Sequence, residues 1–186
     1  QMVDNIHTSL ESVEQMLYEI SLVGKLDAEK LPIEMEPVKV QEVILDVISE
    51  FTSIAKLHDI EIRYVPTKKY VTTDKAMLRR ILQRLVSNAL RFTINGKILV
   101  GGSRRGNSFV LQVWDNGIGM DVDAKPNIFD DFVRLNNHDQ YGERCLGLGL
   151  GIVRRICSQL GHEISLRSWP GKGTVFSLML PIPDKY

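Results

Sequence analysis

The chain has 186 residues, 44% of them hydrophobic, which is enough for one ordinary core with a helical extension. Its 23 basic and 23 acidic residues cancel, so no field over the whole molecule favours nucleic acid or an anionic membrane surface, and any anion site must be local. Cys145 and Cys157 lack the Cys/His pairs of a zinc site and are too few for a disulfide framework, which fits a reducing, cytosolic setting.

No apolar run reaches the roughly 20 residues needed to span a bilayer, and nothing at the start reads as a signal peptide. The chain opens with Gln1 rather than Met, so the expectation is a piece of a longer protein, whose own membrane attachment stays open.

Residues 2–23 place Ile6, Leu10, Val13, Leu17 and Ile20 in alternating steps of four and three, the a/d seam of a coiled coil or bundle. That spacing favours a dimerising bundle helix over a terminal helix lying on its own domain, with both readings open. Gly24 ends the pattern, and residues 25–37, with Pro32 and Pro37, read as a linker. A core helix is predicted over 38–57, from Val40, Val43, Ile44, Val47, Ile48, Phe51 and Ile54. Strands follow at 60–65 and 70–72, then Asp74 as the N-cap of a helix over 76–92. Two strands, 96–105 and 108–115, flank a Gly106-Asn107 turn. Residues 121–146 are polar, weakly periodic and longer than an ordinary loop, a pattern that goes with function. A helix over 149–160 ends at Gly161, and strands at 163–168 and 174–180 are split by a Pro170-Gly171-Lys172-Gly173 turn. Helices mixed with hairpin strands, without repeated strand-helix-strand units, imply an α+β two-layer sandwich with helices on one face of a largely antiparallel sheet.

Three places carry chemistry. On the 76–92 helix, Asn88 lies seven residues after Ile81 and so points within about 20° of the apolar face, where an amide needs partners. Arg84 and Arg91 share its stripe. A satisfied buried amide beside solvated arginines is one reading; the other is an oxygen ligand and two guanidinium donors for a magnesium-bound polyphosphate. Next, Asp115-Asn116-Gly117-Ile118-Gly119 follows a strand directly. Its glycines allow a tight turn and close approach to a planar ligand, while an Asx-capped turn is the plainer alternative. Last, Gly147-Leu148-Gly149-Leu150-Gly151 runs straight into a helix, exposing backbone N–H groups at the positive end of its dipole. The glycine spacing is not that of a Rossmann fold, and the interleaved leucines suggest a packed hinge.

Taken in order, Asn88, Asp115-Asn116-Gly117-Ile118-Gly119, Ile128-Phe129-Asp130-Asp131-Phe132, Gly147-Leu148-Gly149-Leu150 and Gly171-Lys172-Gly173-Thr174 resemble the N, G1, F, G2 and G3 boxes of sensor histidine kinases. The family shares its ATP-binding (Bergerat-type) fold with DNA gyrase, the 90-kilodalton heat-shock chaperones and the MutL proteins. The resemblance implies residues 1–31 as the end of a helical dimerisation and phosphoacceptor domain with its linker, and 32–186 as the catalytic ATP-binding domain. It further implies ATP and Mg2+ as cofactors. Asn88 would ligate the metal, Arg91 would contact phosphate, and Phe92 would flank the adenine. Asp115 would accept the adenine amino proton, with Gly117 and Gly119 admitting the ring. Arg134 would reach the phosphates, Gly147 and Gly149 would hinge a lid, Leu148 between them would contact the nucleotide, and Thr174, with Gly171 and Gly173, would close the adenine end.

The reaction implied is transfer of the γ-phosphoryl group to a histidine of the dimerisation domain, then to a response-regulator receiver domain. The parent would be a homodimer presenting this domain to the cytoplasm, with no nucleic acid partner. His7 is followed by Thr8-Ser9-Leu10 rather than the expected acidic residue, and His58, His138 and His162 fit the acceptor no better. Two positions depart from the family pattern: Arg84 stands where a second Asn is usual, and Cys145 where Gly opens the G2 box. Arg84 is expected either beside the phosphates, taking over some of the metal's role, or out in solvent. It also argues against the gyrase and chaperone group, which carries a water-activating Glu there. A degenerate relative that binds nucleotide or partners without efficient transfer stays open.

Overall fold

A computed structural model of the chain describes Glu14 and residues 17–28, 31–121, 128–130 and 147–184. Five strands form the main sheet in the order β2 (Glu61–Tyr64), β4 (Lys97–Arg105), β5 (Ser108–Asp115), β7 (Gly173–Pro181) and β6 (Glu163–Trp169). Only the β2–β4 pairing is parallel; the other neighbours run antiparallel. A second, two-stranded sheet joins β1 (Glu36–Lys39) to β3 (Tyr70–Thr73). Helices α2 (Val40–Leu57), α3 (Lys75–Phe92) and α4 (Gly149–Leu160) form the other layer. This is the α+β two-layer sandwich expected from the pattern.

Alternation explains the sheet. Ile98 and Val100, Phe109, Leu111 and Val113, and Phe176, Leu178 and Leu180 fall on one face and are buried under the helices. On the opposite face Leu99, Trp114, Met179 and Trp169 stay partly exposed. The β4–β5 hairpin turns at Gly106, whose φ of 59° suits a residue without Cβ. Gly161 closes α4 in the left-handed region, and its N–H and that of His162 bond back to the last turn.

Two boundaries differ from the sequence reading: the first helix runs through Gly24 to Asp27 rather than ending at the glycine, and the next helix starts later than predicted. Residues 36–39, predicted as linker and helix start, form β1, because Val38 is buried against β3 and Val40, the first residue of the helix, still donates to the Lys69 carbonyl. Local periodicity cannot register a strand whose partner lies more than thirty residues ahead. The start of α3 is as predicted: Asp74 Oδ1 accepts from the Met77 N–H at 2.9 Å, and Oδ2 also accepts from Glu34 N–H at 3.0 Å.

The N-terminal helix, α1 (residues 17–27), has two distinct faces. Leu22 and Leu26 sink into the common core, Asp27 pairs with Arg155 of α4 at 2.6 Å, and Gln159 donates to the Leu26 carbonyl. Leu17 and Ile20, the described members of the predicted seam, are 62% and 54% exposed. Ile6, Leu10 and Val13 lie outside the described residues.

Candidate functional site

The end of α3, the loop after β5 and the β6–β7 turn converge on one another through backbone. Ile118 donates to the Phe92 carbonyl at 3.0 Å, and Gly171 donates to the Ile118 carbonyl at 2.6 Å. Asn116 Oδ1 accepts from the Lys97 N–H at 2.6 Å, fastening the loop to the start of β4. A Cβ on Gly117 would collide with the Phe92 carbonyl, and one on Gly119 with the carbonyl of Trp169. The glycines predicted to admit a flat ligand are therefore required first by the protein's own backbone.

Asp115 ends β5 between these segments. Its Oδ1 accepts from the N–H groups of Gly117, at 2.9 Å, and Thr174, at 3.2 Å. Both bonds fall on one oxygen, so Oδ2 can accept from a ligand. Burial pushes this carboxyl up to about 6, against the opposing pull of the two backbone N–H donors. Thr174 is itself buried and shares a hydroxyl contact of 2.9 Å with Ser168, whose Oγ also accepts from Met120 N–H. Ser168 thus braces the site from β6, a role that only long-range strand pairing reveals.

Two helix ends carry the other predicted site residues. Asn88, Arg91 and Phe92 are half-buried on the last turns of α3. Leu148, buried in the core, is the N-cap of α4 and supplies no side-chain cap, and the first turn holds no acidic residue. The leading N–H groups of Gly149, Leu150 and Gly151 have no partner four residues back within the helix, the arrangement that attracts an anion. Gly147 adopts a φ of 75°, whereas a Cβ on Gly149 would meet nothing. Ile128 and Phe129 pack against the core, and Asp130 pairs with Arg154 of α4 at 2.7 Å. Arg134, Asp131, Phe132 and Cys145 lie outside the described residues.

Arg84 takes neither predicted course. Its guanidinium meets the carboxylate of Glu19 on α1 at 2.6 Å, and that carboxylate's residue is 7% exposed. The alternative of solvent or phosphate left out a partner from α1, whose docking on α3 no local pattern announces.

The family described as histidine kinase-, DNA gyrase B- and HSP90-like ATPases matches residues 73–184, more than half of the chain. The chain belongs to this ATPase family. The matched stretch contains Asn88, Asp115, the α4 entrance and Thr174 together, so the ATPase match and the convergent geometry coincide. The sensor-like histidine kinase SenX3 of Mycolicibacterium smegmatis is 29% identical over 187 residues, covering 99% of this chain but 48% of that protein. The full-length histidine kinase ShkA, solved in complex with AMPPNP, is 26% identical with a TM-score of 0.79 over 93% of this chain and 37% of that one. The histidine kinase ThkA, solved with the response regulator TrrA, shares the fold at 22% identity, with a TM-score of 0.72 over 94% of this chain and 50% of that one. Among these ATPases, this chain is the catalytic domain of a sensor histidine kinase. It spans about half the length of SenX3.

Proposed function

We propose that this domain holds ATP with magnesium and donates its γ-phosphoryl group to a histidine on a helical dimerisation domain, from which a response-regulator receiver domain takes it. The observation that carries the reading is Asp115: a carboxylate fixed by two backbone N–H groups on one oxygen, with the other able to accept the exocyclic N–H of adenine. A guanine carbonyl placed there would meet repulsion instead.

The chain's residues divide the work between two ends. Asp115, Thr174 and the Phe92 side of the loop orient the base, while the N-terminus of α4 and Arg91 receive the phosphates. The donor set suits magnesium, which prefers oxygen: the Asn88 side chain supplies one protein oxygen, and among the described residues no His/Cys/Asp/Glu cluster competes for a softer metal. Magnesium held there would neutralise charge on the phosphates. In the transfer a bond forms from an imidazole nitrogen to the γ-phosphorus, the bond to the bridging oxygen breaks, and ADP leaves with the electron pair; positioning and charge neutralisation do most of the catalysis. His162 is buried against Thr73 at 2.8 Å, which argues that the acceptor is supplied by another segment.

The exposed face of α1 supports a contact of Leu17 and Ile20 with a second copy in a homodimeric parent, whose dimerisation segment would end at about residue 31. No helix among the described residues is long and apolar enough to cross a membrane; we place the domain in the cytoplasm, where ATP and receiver domains are available.

Titration calorimetry with ATP, ADP and GTP tests the reading. Binding of the adenine nucleotides, weakened about tenfold or more by Asp115→Asn, is expected from loss of a charged acceptor. Absence of binding at millimolar ATP, with the chain folded, would refute it.

A further inference from the structure

Successive helical residues advance by about 100°, so Arg80, Arg84, Asn88 and Arg91 of α3 fall within an arc of about 80° and form one polar stripe. Its two halves face different things. The N-terminal half is covered by α1: Arg80 donates to the Tyr18 hydroxyl at 2.5 Å and lies 5.8 Å from the centre of its ring, and Arg84 pairs with Glu19. The C-terminal half carries Asn88 and Arg91, the residues assigned above to metal and phosphate. Arg84 stands at the boundary, one turn from Asn88, with a side chain long enough to serve either side.

We propose that Arg84 is contested by two anions, the Glu19 carboxylate of α1 and the terminal phosphate of ATP, so that docking of α1 on α3 and tight binding of ATP oppose each other. The inference rests on the nucleotide site proposed above. Three features support it. Glu19 is almost fully buried and Arg84 is only one-quarter exposed in its side chain, so their pairing is not a loose surface contact. A guanidinium accepts a carboxylate or a phosphate by the same planar fork, so exchange of one for the other leaves no donor stranded. Two polar links at the far end of α1, Asp27 to Arg155 and Leu26 to Gln159, lie on α4, so the Tyr18–Glu19 end can release from α3 without breaking them. Coupling of this kind is reciprocal: whatever docking takes from ATP affinity, ATP takes from docking.

The test is a double-mutant cycle in the presence of magnesium, titrating the chain, Glu19→Gln, Arg84→Asn and the double variant with ATP and with adenosine. Hydrogen exchange of residues 17–26 is followed with and without ATP. Glu19→Gln is expected to tighten ATP about three- to tenfold and leave adenosine unchanged, with the gain absent in the Arg84→Asn background. ATP should speed exchange in residues 17–26 of the unmodified chain. An unchanged or weaker ATP affinity in Glu19→Gln, or the same gain with Arg84 replaced, overturns the proposal while adenosine binding leaves the nucleotide site intact. If the unmodified chain binds neither ligand, the nucleotide reading falls and this proposal with it.

Discussion

The carbonyl oxygen of Trp169 occupies the space that a side chain on Gly119 would need. Gly119 also has a φ of 61°, a region costly for other residues. Gly119→Ala should therefore lower unfolding free energy by at least about 2 kcal/mol, from backbone strain and clash together. Gly149→Ala, whose Cβ would meet nothing, should stay near the parent stability. Urea denaturation of both variants checks the contrast, and equal midpoints would contradict it.

In the proposed role, Asp115 should make nucleotide affinity depend on pH. Its carboxyl titrates near 6 because burial disfavours the charge. An adenine N–H favours the ionised form, so ATP affinity should fall as pH drops through about 6 and level off above 7. Asp115→Asn should flatten that profile. The same shift has a stability consequence of fixed sign: with the folded value above the ordinary 3.8, the group's stabilising contribution is complete below 3.8 and is lost as pH rises through about 6.

His162 acts in the opposite direction. Burial, its larger influence, holds the imidazole below 6.5 despite an opposing backbone bond at Gly161. Its contribution is present above 6.5 and is lost as pH falls below that value, because the unfolded chain takes up the proton first. The loss should be visible as a falling melting temperature between pH 7 and 5. His162→Gln should reduce that slope; an unaltered slope would assign the acid sensitivity elsewhere.

The two faces of α1 predict unequal truncation costs. Leu26→Ala, at 2% exposure, should cost about 2–4 kcal/mol, and Leu17→Ala, at 62%, within about 0.5 kcal/mol. Thermal unfolding of the two variants decides whether α1 belongs to this domain's core. Equal small effects would mean that α1 does not dock.

Much of this architecture is legible from periodicity. The span of α3, its Asp74 cap, the Gly106 turn and the Gly161 stop all follow from neighbours within a few residues, and the structure places them where the pattern does. Asp115 and the glycines after it were visible as a motif, but the reason for the glycines was not, since Phe92 and Trp169 approach from distant segments. The same limit hid β1, whose partner is β3, and the pairing of Arg84 with a glutamate 65 residues earlier. Ser168 gave no signal at all: a serine in an amphipathic strand has no mark of the hydroxyl network it anchors.

The contacts of Phe92, Gly117, Gly119, Gly173 and Asp115 join three chain segments main chain to main chain, with no side-chain layer between them. Side chains can swap rotamers to absorb a neighbour's displacement; peptide planes in contact cannot. The Asp115 end of the proposed site is consequently a rigid joint, and a small rotation of the β6–β7 turn reaches Asp115 undamped. Substitutions in that turn, far along the sequence and touching no ligand, should therefore tune the affinity for adenine by tilting the carboxylate rather than by altering its chemistry.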